Sequence, residues 1–183
     1  MSEPAPFVPV EVELRNGRWV RLRAIRPDDR EEIRQAFGRL SAESRYTRFM
    51  SSVRDLTPRM LDYAVGPQDA RELSLVAEID APDGIDIVGG ARYYVQADGD
   101  SCEFAITVVD DWQGSGLASR LMRELIQGAR DRAVRRMEGF VLADNRRMLR
   151  LAERLGFSVH TDPDDAAVKI VRLDLTTSSS KNR

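Results

Sequence analysis

A glycine-containing loop between a strand and a helix is the sequence feature that most constrains this chain. Residues 108–118 run from two valines through an acidic and aromatic turn to Gly114, Gly116 and the start of a helix. Beyond the loop an apolar residue recurs at every fourth position from 117 to 129, which predicts an amphipathic helix that ends near residue 133. The first N–H groups of a helix have no internal acceptor, so a glycine loop at its start brings several donors to one anion. The sequence therefore predicts a phosphate-binding loop.

Two widespread kinds of phosphate loop do not fit these residues. A Walker loop needs Gly-Lys followed by Ser or Thr, whereas Gly116 is followed by Leu117. A dinucleotide-binding loop needs a third glycine, where this chain has Ser119, and an acidic residue that ends the next strand, whereas Glu138 precedes its apolar run. For the loop taken alone, a plain strand-to-helix turn that binds nothing stays open as an alternative.

Length and composition favour a single globular domain without a metal site or a nucleic-acid interface. The chain has 183 residues, of which 42% are hydrophobic, and a formal net charge of -2. This charge balance argues against a nucleic-acid partner or an anionic membrane surface. No apolar run has the length of a membrane span or the pattern of a secretory leader, so we expect a cytoplasmic protein. Cys102 and His160, each the one residue of its type, provide neither a metal-ligand set nor a disulfide.

Apolar patterns and turn residues predict an α+β order of elements in one domain over residues 10–175. Asn16 and Gly17 between two β-rich runs predict a hairpin. We expect residues 1–9 to form an extended segment and residues 176–183 a disordered tail. The predicted strands are 10–14, 19–25, 73–79, 85–95, 101–109, 137–143 and 167–175, and the predicted helices are 27–37, 41–50, a short one from 57, 117–133 and 145–155.

Two short motifs, in this order along the chain, resemble the GNAT family of N-acetyltransferases. Gln113-x-x-Gly116-x-Ala118 resembles the loop with which that family binds the pyrophosphate of acetyl-CoA. Asn145 and the Leu-Gly-Phe segment at 155–157 resemble a second block of the same family. The resemblance implies acetyl-CoA as the cosubstrate. It also implies an α+β fold with α/β/α layers, in which helices flank a mixed, largely antiparallel sheet of about six to seven strands.

The resemblance further implies which residues bind acetyl-CoA. The backbone of the strand before the loop is expected to pair with the pantetheine arm and the thioester carbonyl, and the loop is expected to bind the phosphates. Asn145 is expected to contact the pantetheine arm, with capping of its own helix as the alternative. The expected strand positions are Ile106, Thr107 and Val108, and the expected loop positions are Gln113, Gly114, Ser115, Gly116, Leu117, Ala118 and Ser119.

Further segments resemble the acetyltransferase domain of bacterial protein lysine acetyltransferases of the Pat type. Members of that group acetylate acyl-CoA synthetases, so the resemblance implies a protein substrate, with an acyl-CoA synthetase as one candidate. Arg45 and Arg48, together with Tyr46, Phe49 and Met50, can border the acceptor site, although helical spacing alone also fits core positions for the aromatic residues. The segments are Ser41-x-x-Ser44-Arg45-Tyr46-x-Arg48-Phe49, Glu103-Phe104-Ala105, Asp111-Trp112-Gln113 and Met148.

Acetyl transfer to a lysine requires a base. A lysine amine with a pKa near 10.4 is neutral only about once in a few thousand molecules at pH 7. Glu103 lies in the strand just before the loop, where a carboxylate can take the proton directly or through a water. The resemblance to Pat-type enzymes implies that Glu103 is this general base. A surface glutamate paired with an arginine is the alternative for this residue.

The general acid of many family members is missing. It is a tyrosine seven residues after the asparagine, a position that is Ala152 in this chain. A thiol with a pKa near 8.5 can leave without such an acid. Tyr93 and Tyr94 are remote candidates for the role. Cys102 is expected to be a buried core residue rather than an acyl carrier.

Three functions stay open on the sequence alone. The first is acetylation of a protein lysine, the second is acetylation of a small amine such as a polyamine, an amino acid or an antibiotic, and the third is non-catalytic sensing of acetyl-CoA. A closed acidic pocket would favour a small cation as the acceptor. An open groove between residues 41–50 and the last strands would favour a protein loop, and the missing tyrosine favours the sensor.

Overall fold

The computed structural model describes residues 6–177 and consists, within that range, of one eight-stranded sheet, five α-helices and two short 3-10 turns. The strands are β1 (Val10–Glu13), β2 (Trp19–Ala24), β3 (Glu72–Ala81), β4 (Gly84–Val95), β5 (Ser101–Val108), β6 (Arg136–Leu142), β7 (Ser158–Thr161) and β8 (Val168–Asp174). The α-helices are α1 (Arg30–Gly38), α2 (Ala42–Phe49), α3 (Pro58–Ala64), α4 (Leu117–Asp131) and α5 (Arg146–Arg154), and the 3-10 turns are Pro27–Asp29 and Asp110–Trp112.

The two expected terminal segments lie partly outside the described residues. The extended segment expected over residues 1–9 is described from residue 6 onward, and residues 6–9 belong to neither a helix nor a strand. Of the tail expected over residues 176–183, only Thr176 and Thr177 are described, and both lie in a bend after β8.

The sheet is mixed and largely antiparallel, as predicted. Its strand order is β1-β2-β3-β4-β5-β6-β8-β7, and β5 with β6 is the one parallel pair among the described strands. Parallel neighbours need a long crossover, and α4 supplies it between β5 and β6. The helix and the parallel pair together place the glycine loop at the end of β5, beside the next strand.

The sheet has one short strand more than the expected six to seven. β7 has four residues at the edge of the sheet and pairs with β8 alone. Three of its residues are exposed and polar, Ser158, His160 and Thr161, so the segment lacks the alternation of apolar and polar positions that identifies a strand in sequence. Pairing with a long neighbour, rather than local preference, makes it a strand.

The apolar stripe predicted for α4 is buried against the sheet. Leu117, Leu121, Leu125 and Ala129 are each at most 1% exposed, and α4 contacts β3, β4 and β5. Each fully buried leucine contributes about 1.5–3 kcal/mol of transfer free energy. This packing fixes the start of α4, and with it the glycine loop, relative to the end of β5.

β5 and β6 separate part of the way along their length. Their pairing ends at Glu103 opposite Glu138, although β5 and β6 both continue beyond these residues. At the next position the Phe104 ring covers Gly139, where any β-carbon would overlap that ring. Phe157 packs edge-on against Phe104 with the ring centroids 5.5 Å apart. The aromatic pair therefore lies at the base of a gap between two strands that belong to the same sheet.

Candidate active site

The glycine loop presents a group of backbone donors without partners. Gly114 and Gly116 have φ values of 76° and 91°, a left-handed conformation that glycine adopts at no steric cost. Five backbone N–H groups at the loop and the first turn of α4 have no hydrogen-bond acceptor among residues 6–177. They are those of Gly114, Ser115, Gly116, Ala118 and Ser119. A cluster of free donors at the positive end of a helix dipole is suited to a phosphate.

Side chains of the loop hold its shape from within. Ser115 is buried, its hydroxyl donates to the Trp112 carbonyl at 2.6 Å, and the Leu117 N–H donates to the same hydroxyl at 3.3 Å. The Leu117 N–H is therefore occupied, and its side chain belongs to the core. Gln113 lies at the exposed side, where its amide group donates to the Val108 carbonyl at 3.2 Å.

The same loop is connected to α2 by hydrogen bonds from both sides. The Ser41 N–H donates to the Asp110 carboxylate at 3.1 Å, and Gln113 donates to the Ser44 hydroxyl at 3.1 Å. Burial raises the pKa of Asp110, but its hydrogen bonds with Ser41 and Ser44 outweigh that effect and leave the pKa below its ordinary value. The Ser41-x-x-Ser44 motif thus positions α2 relative to the phosphate loop.

Three arginines from distant parts of the chain surround the loop. Arg15, in the β1–β2 turn, has its Nε 3.2 Å from the place that a β-carbon on Gly116 would occupy. Arg18 donates to the Asp111 carbonyl at 3.0 Å, and Arg147 of α5 donates to the Gln113 side chain at 2.8 Å. These neighbours could not be predicted from the sequence, because nothing local connects residue 15 or 147 with the loop.

The gap between β5 and β6 leaves alternate backbone groups of β5 without a strand partner. The Val109 N–H donates to the Val88 carbonyl of β4, and the Ser101 carbonyl accepts from the N–H of Gln96, directly after β4. The odd-numbered residues of β5 therefore pair with β4, and the even-numbered residues face β6. The backbones of Ile106 and Val108 consequently face the gap. The Thr107 backbone pairs with β4, and its side chain lines a cleft on one face of the sheet.

That cleft has a volume of about 530 Å³ and lies between β3–β5 and helices α1, α2 and α3. Its charged residues are Arg48, Arg92 and Glu103, so it is not an acidic pocket. Arg92 pairs with Glu72 at 2.5 Å. Most of the other lining side chains are apolar or aromatic, among them Ile33, Phe37, Phe49, Leu56, Met60 and Tyr63.

Glu103 lies where the cleft meets the gap between the strands. It is the last residue of β5 that pairs with β6, its side chain is exposed, and it lines the cleft. The Gln96 side chain donates to its carboxylate at 3.5 Å. Within residues 6–177 it forms no ion pair with an arginine, which the surface-pair alternative requires.

Asn145 caps α5 with its side-chain oxygen, and its side-chain nitrogen is free to bind another partner. Its carbonyl oxygen accepts the Met148 N–H at 3.1 Å, while its amide nitrogen donates to no described residue. Ala152 is fully buried in the same helix and offers no proton donor. Capping is therefore shown, and the amide nitrogen stays a candidate contact for the pantetheine arm.

The other candidate residues differ in their surroundings. Tyr93 is fully buried, its hydroxyl donates to the Gly128 carbonyl at 3.3 Å, and burial raises its pKa. Tyr94 lines the cleft and is 39% exposed. Cys102 is buried in the core, where burial and then Glu138 raise its pKa to about 12, so it is not a nucleophile at neutral pH.

The described residues contain neither a metal site nor a membrane-spanning helix. No group of three or more His, Cys, Asp or Glu side chains within residues 6–177 is arranged to hold a metal ion. Among the helices of the described range, none combines the length and the apolar composition that crossing a membrane requires.

Comparisons with known proteins agree with this geometry. Residues 31–157 match the acetyltransferase (GNAT) family. The chain is 38% identical over 179 residues to Acetyltransferase PA5475 of Pseudomonas aeruginosa, a match that covers 95% of this chain and 96% of that protein. It is 34% identical over 154 residues to Acetyltransferase Pat of Mycolicibacterium smegmatis, a match that covers 83% of this chain and 45% of that protein.

A solved structure has the same fold over nearly its whole length. The GNAT domain of S. lividans PAT matches with a TM-score of 0.83 and 28% identity, covering 91% of this chain and 96% of that domain. The chain therefore belongs to the GNAT family. It is an acetyltransferase, and GNAT acetyltransferases use acetyl-CoA as the acetyl donor.

Proposed function

We propose that this protein acetylates a lysine of another protein by direct attack of the lysine amine on acetyl-CoA, with Glu103 as the general base. The observation that carries the proposal is the position of Glu103, at the junction of the acceptor cleft and the gap between β5 and β6. A base at that junction faces the amine from the cleft and the thioester from the gap.

The free backbone groups indicate where the acetyl donor, acetyl-CoA, binds. The unpaired N–H groups from Gly114 to Ser119 bind the pyrophosphate, with Arg15 and Arg147 close enough to add charge. Backbone groups of Ile106 and Val108 pair with the pantetheine arm as a missing strand would.

The reaction requires a base for the proton of the amine, a hydrogen-bond donor for the negative oxygen of the intermediate, and a proton for the leaving thiolate. Glu103 removes the proton of the lysine ammonium, directly or through a water, so that the neutral amine attacks the thioester carbonyl. An N–H group that faces the gap, at Ile106 or Val108, stabilises the negative oxygen of the tetrahedral intermediate. With Ala152 in place of a tyrosine, the thiolate leaves and takes its proton from solvent or from the new amide nitrogen.

Two observations bear on the acceptor. Arg48 and Arg92 line the cleft together with a single acidic residue, Glu103, which disfavours a polyamine. The relatives at 34% and 28% identity are named Pat or PAT, and two of the segments that resemble Pat-type enzymes, 41–49 and 103–105, contribute residues to this cleft. These support a protein lysine, for which an acyl-CoA synthetase is the first partner to try.

A small amine is the second candidate, and the size of the cleft favours it. A volume of about 530 Å³ lies within the range of about 300–1,000 Å³ that is usual for small-molecule sites. Sensing of acetyl-CoA without transfer is a third possibility, supported by the absence of a tyrosine at Ala152.

One labelling experiment separates these functions. The protein is incubated with [acetyl-14C]acetyl-CoA and an acyl-CoA synthetase, and in parallel with a cell extract. We expect label on lysine side chains of protein, and none with the Glu103→Gln variant. Label on small molecules alone would replace the protein acceptor by a small amine, and binding of acetyl-CoA without any transfer would support the sensor.

A further inference from the structure

An arginine without a partner lines the acceptor cleft. Arg48 is at the C-terminal end of α2, and its guanidinium forms neither an ion pair nor a hydrogen bond with any residue in the range 6–177. Its guanidinium lies 4.9 Å from the ring centre of Phe49. Two other arginines, Arg92 in the same cleft and Arg45 in the same helix, do have partners. Arg92 pairs with Glu72, and Arg45 donates to three backbone carbonyls.

The surroundings of Arg48 are unfavourable for an isolated cation. Burial, and then the charge of Arg92, lower the pKa of its guanidinium, and the charges of Tyr63 and Glu103, which form no ion pair with it, offset only part of that effect. A charge that is partly removed from water without a partner costs free energy, which a bound anion offsets. Arginine also keeps its charge at any physiological pH, so it cannot avoid this cost by losing a proton.

The cleft therefore offers two opposite charges to one acceptor. Glu103 attracts the ammonium that is to be acetylated, and Arg48 lies in the same cleft on the facing helix. A guanidinium binds a carboxylate through two parallel hydrogen bonds, which makes a carboxylate the matching group.

We infer that Arg48 selects acceptors that carry a carboxylate close to the reacting amine. In a protein acceptor this is an Asp or Glu side chain beside the lysine in sequence or in the folded surface. This inference rests on the proposed function, because it concerns the acceptor of that same site. An amino acid carries the same pair of charges, so the test includes it as a separate arm.

The test compares acceptors that differ only in the carboxylate. One arm uses lysine-centred peptide libraries with Asp or Glu against Asn or Gln at each flanking position, and the other uses free amino acids against their carboxamides. We expect wild-type protein to acetylate the carboxylate-bearing member with a kcat/KM about tenfold or more higher, the size usual for a charged hydrogen bond. Transfer in the peptide arm would identify a protein as the source of the carboxylate, and transfer in the other arm would identify an amino acid.

Variants assign this preference to Arg48. Arg48→Gln should reduce the preference to about twofold or less, Arg48→Lys should keep part of it, and both should bind acetyl-CoA as the wild type does. Arg34→Gln removes the same charge from the exposed surface of α1 and should leave the preference unchanged. The melting temperature of each variant shows whether it is folded.

The outcomes separate this inference from the proposed function. Transfer without a preference for the carboxylate, or a preference that survives in a folded Arg48→Gln variant, would overturn the role of Arg48 alone. A uniform loss of kcat with all acceptors would mean that Arg48 only supports α2 through Phe49. Absence of transfer to every acceptor would refute the proposed function and this inference together.

Discussion

The contact between Phe104 and Gly139 permits a quantitative test of how the gap between β5 and β6 is built. A β-carbon at position 139 would overlap the Phe104 ring, which also packs edge-on against Phe157. Overpacking a filled core costs about 1–3 kcal/mol, and replacing a glycine by alanine returns about 0.4–1 kcal/mol through the unfolded chain. We therefore expect Gly139→Ala to lower the free energy of unfolding by about 1–2 kcal/mol.

Thermal unfolding measures this effect. In a protein of this size each kcal/mol shifts the melting temperature by about 2–4 °C, so Gly139→Ala should unfold about 2–8 °C below the wild type. Gly38→Ala is the matched control, because a β-carbon at position 38 has nothing within 4 Å. Its melting temperature should be unchanged or slightly higher.

A double-mutant cycle then assigns the cost to the ring. Phe104→Leu removes the ring from position 139, so in that background Gly139→Ala should cost less than about 0.5 kcal/mol. An unchanged melting temperature for Gly139→Ala, or an equal loss in both backgrounds, would refute the role given to Phe104 at the base of the gap.

Three further predictions concern the loop and the buried thiol. Arg15→Ala should raise the KM for acetyl-CoA about three- to tenfold, with no change for acetyl-pantetheine, which has no pyrophosphate; equal effects on both donors would contradict a phosphate contact. Gly116→Ala should weaken acetyl-CoA binding in a calorimetric titration, because φ at this position is 91° and a side chain there costs about 1–2 kcal/mol; unchanged affinity would mean that the loop adapts. Cys102 should resist a thiol reagent at pH 8 in the folded protein, since its pKa is raised to about 12. Because the pKa of Cys102 is higher in the folded than in the unfolded protein, the contribution of its neutral thiol to stability is complete below the ordinary pKa of 9.0. That contribution is lost as the pH rises toward 12, so the free energy of unfolding measured in urea should be lower at pH 10 than at pH 8.

Local chemistry explains the parts of the fold that the sequence predicted. The Asn16-Gly17 turn joins β1 and β2, with Gly17 at a φ of 77°. Asn145 caps α5, and the apolar stripe of α4 is buried. Each of these depends on residues within a few positions of one another, so periodicity and capping rules suffice.

Contacts between distant segments could not be predicted in this way. Arg15 and Arg147 meet the glycine loop only because the whole sheet and α5 bring them there. The cleft, likewise, is formed by three helices and three strands, and its charge depends on which side chains find partners. Even β7 is a strand because β8 pairs with it.

The proposed reaction depends on the position of Glu103, and a comparison of two glutamate variants with the wild type tests it. Turnover with acetyl-CoA and the protein acceptor is measured for wild type and Glu103→Gln, together with the Kd for acetyl-CoA. Glu138→Gln is the control, because Glu138 lies directly opposite on β6 and pairs with Arg172. We predict that Glu103→Gln lowers kcat by about 100-fold or more at an unchanged Kd, while Glu138→Gln keeps its turnover. A Glu103→Gln variant with wild-type turnover would contradict its role as the general base.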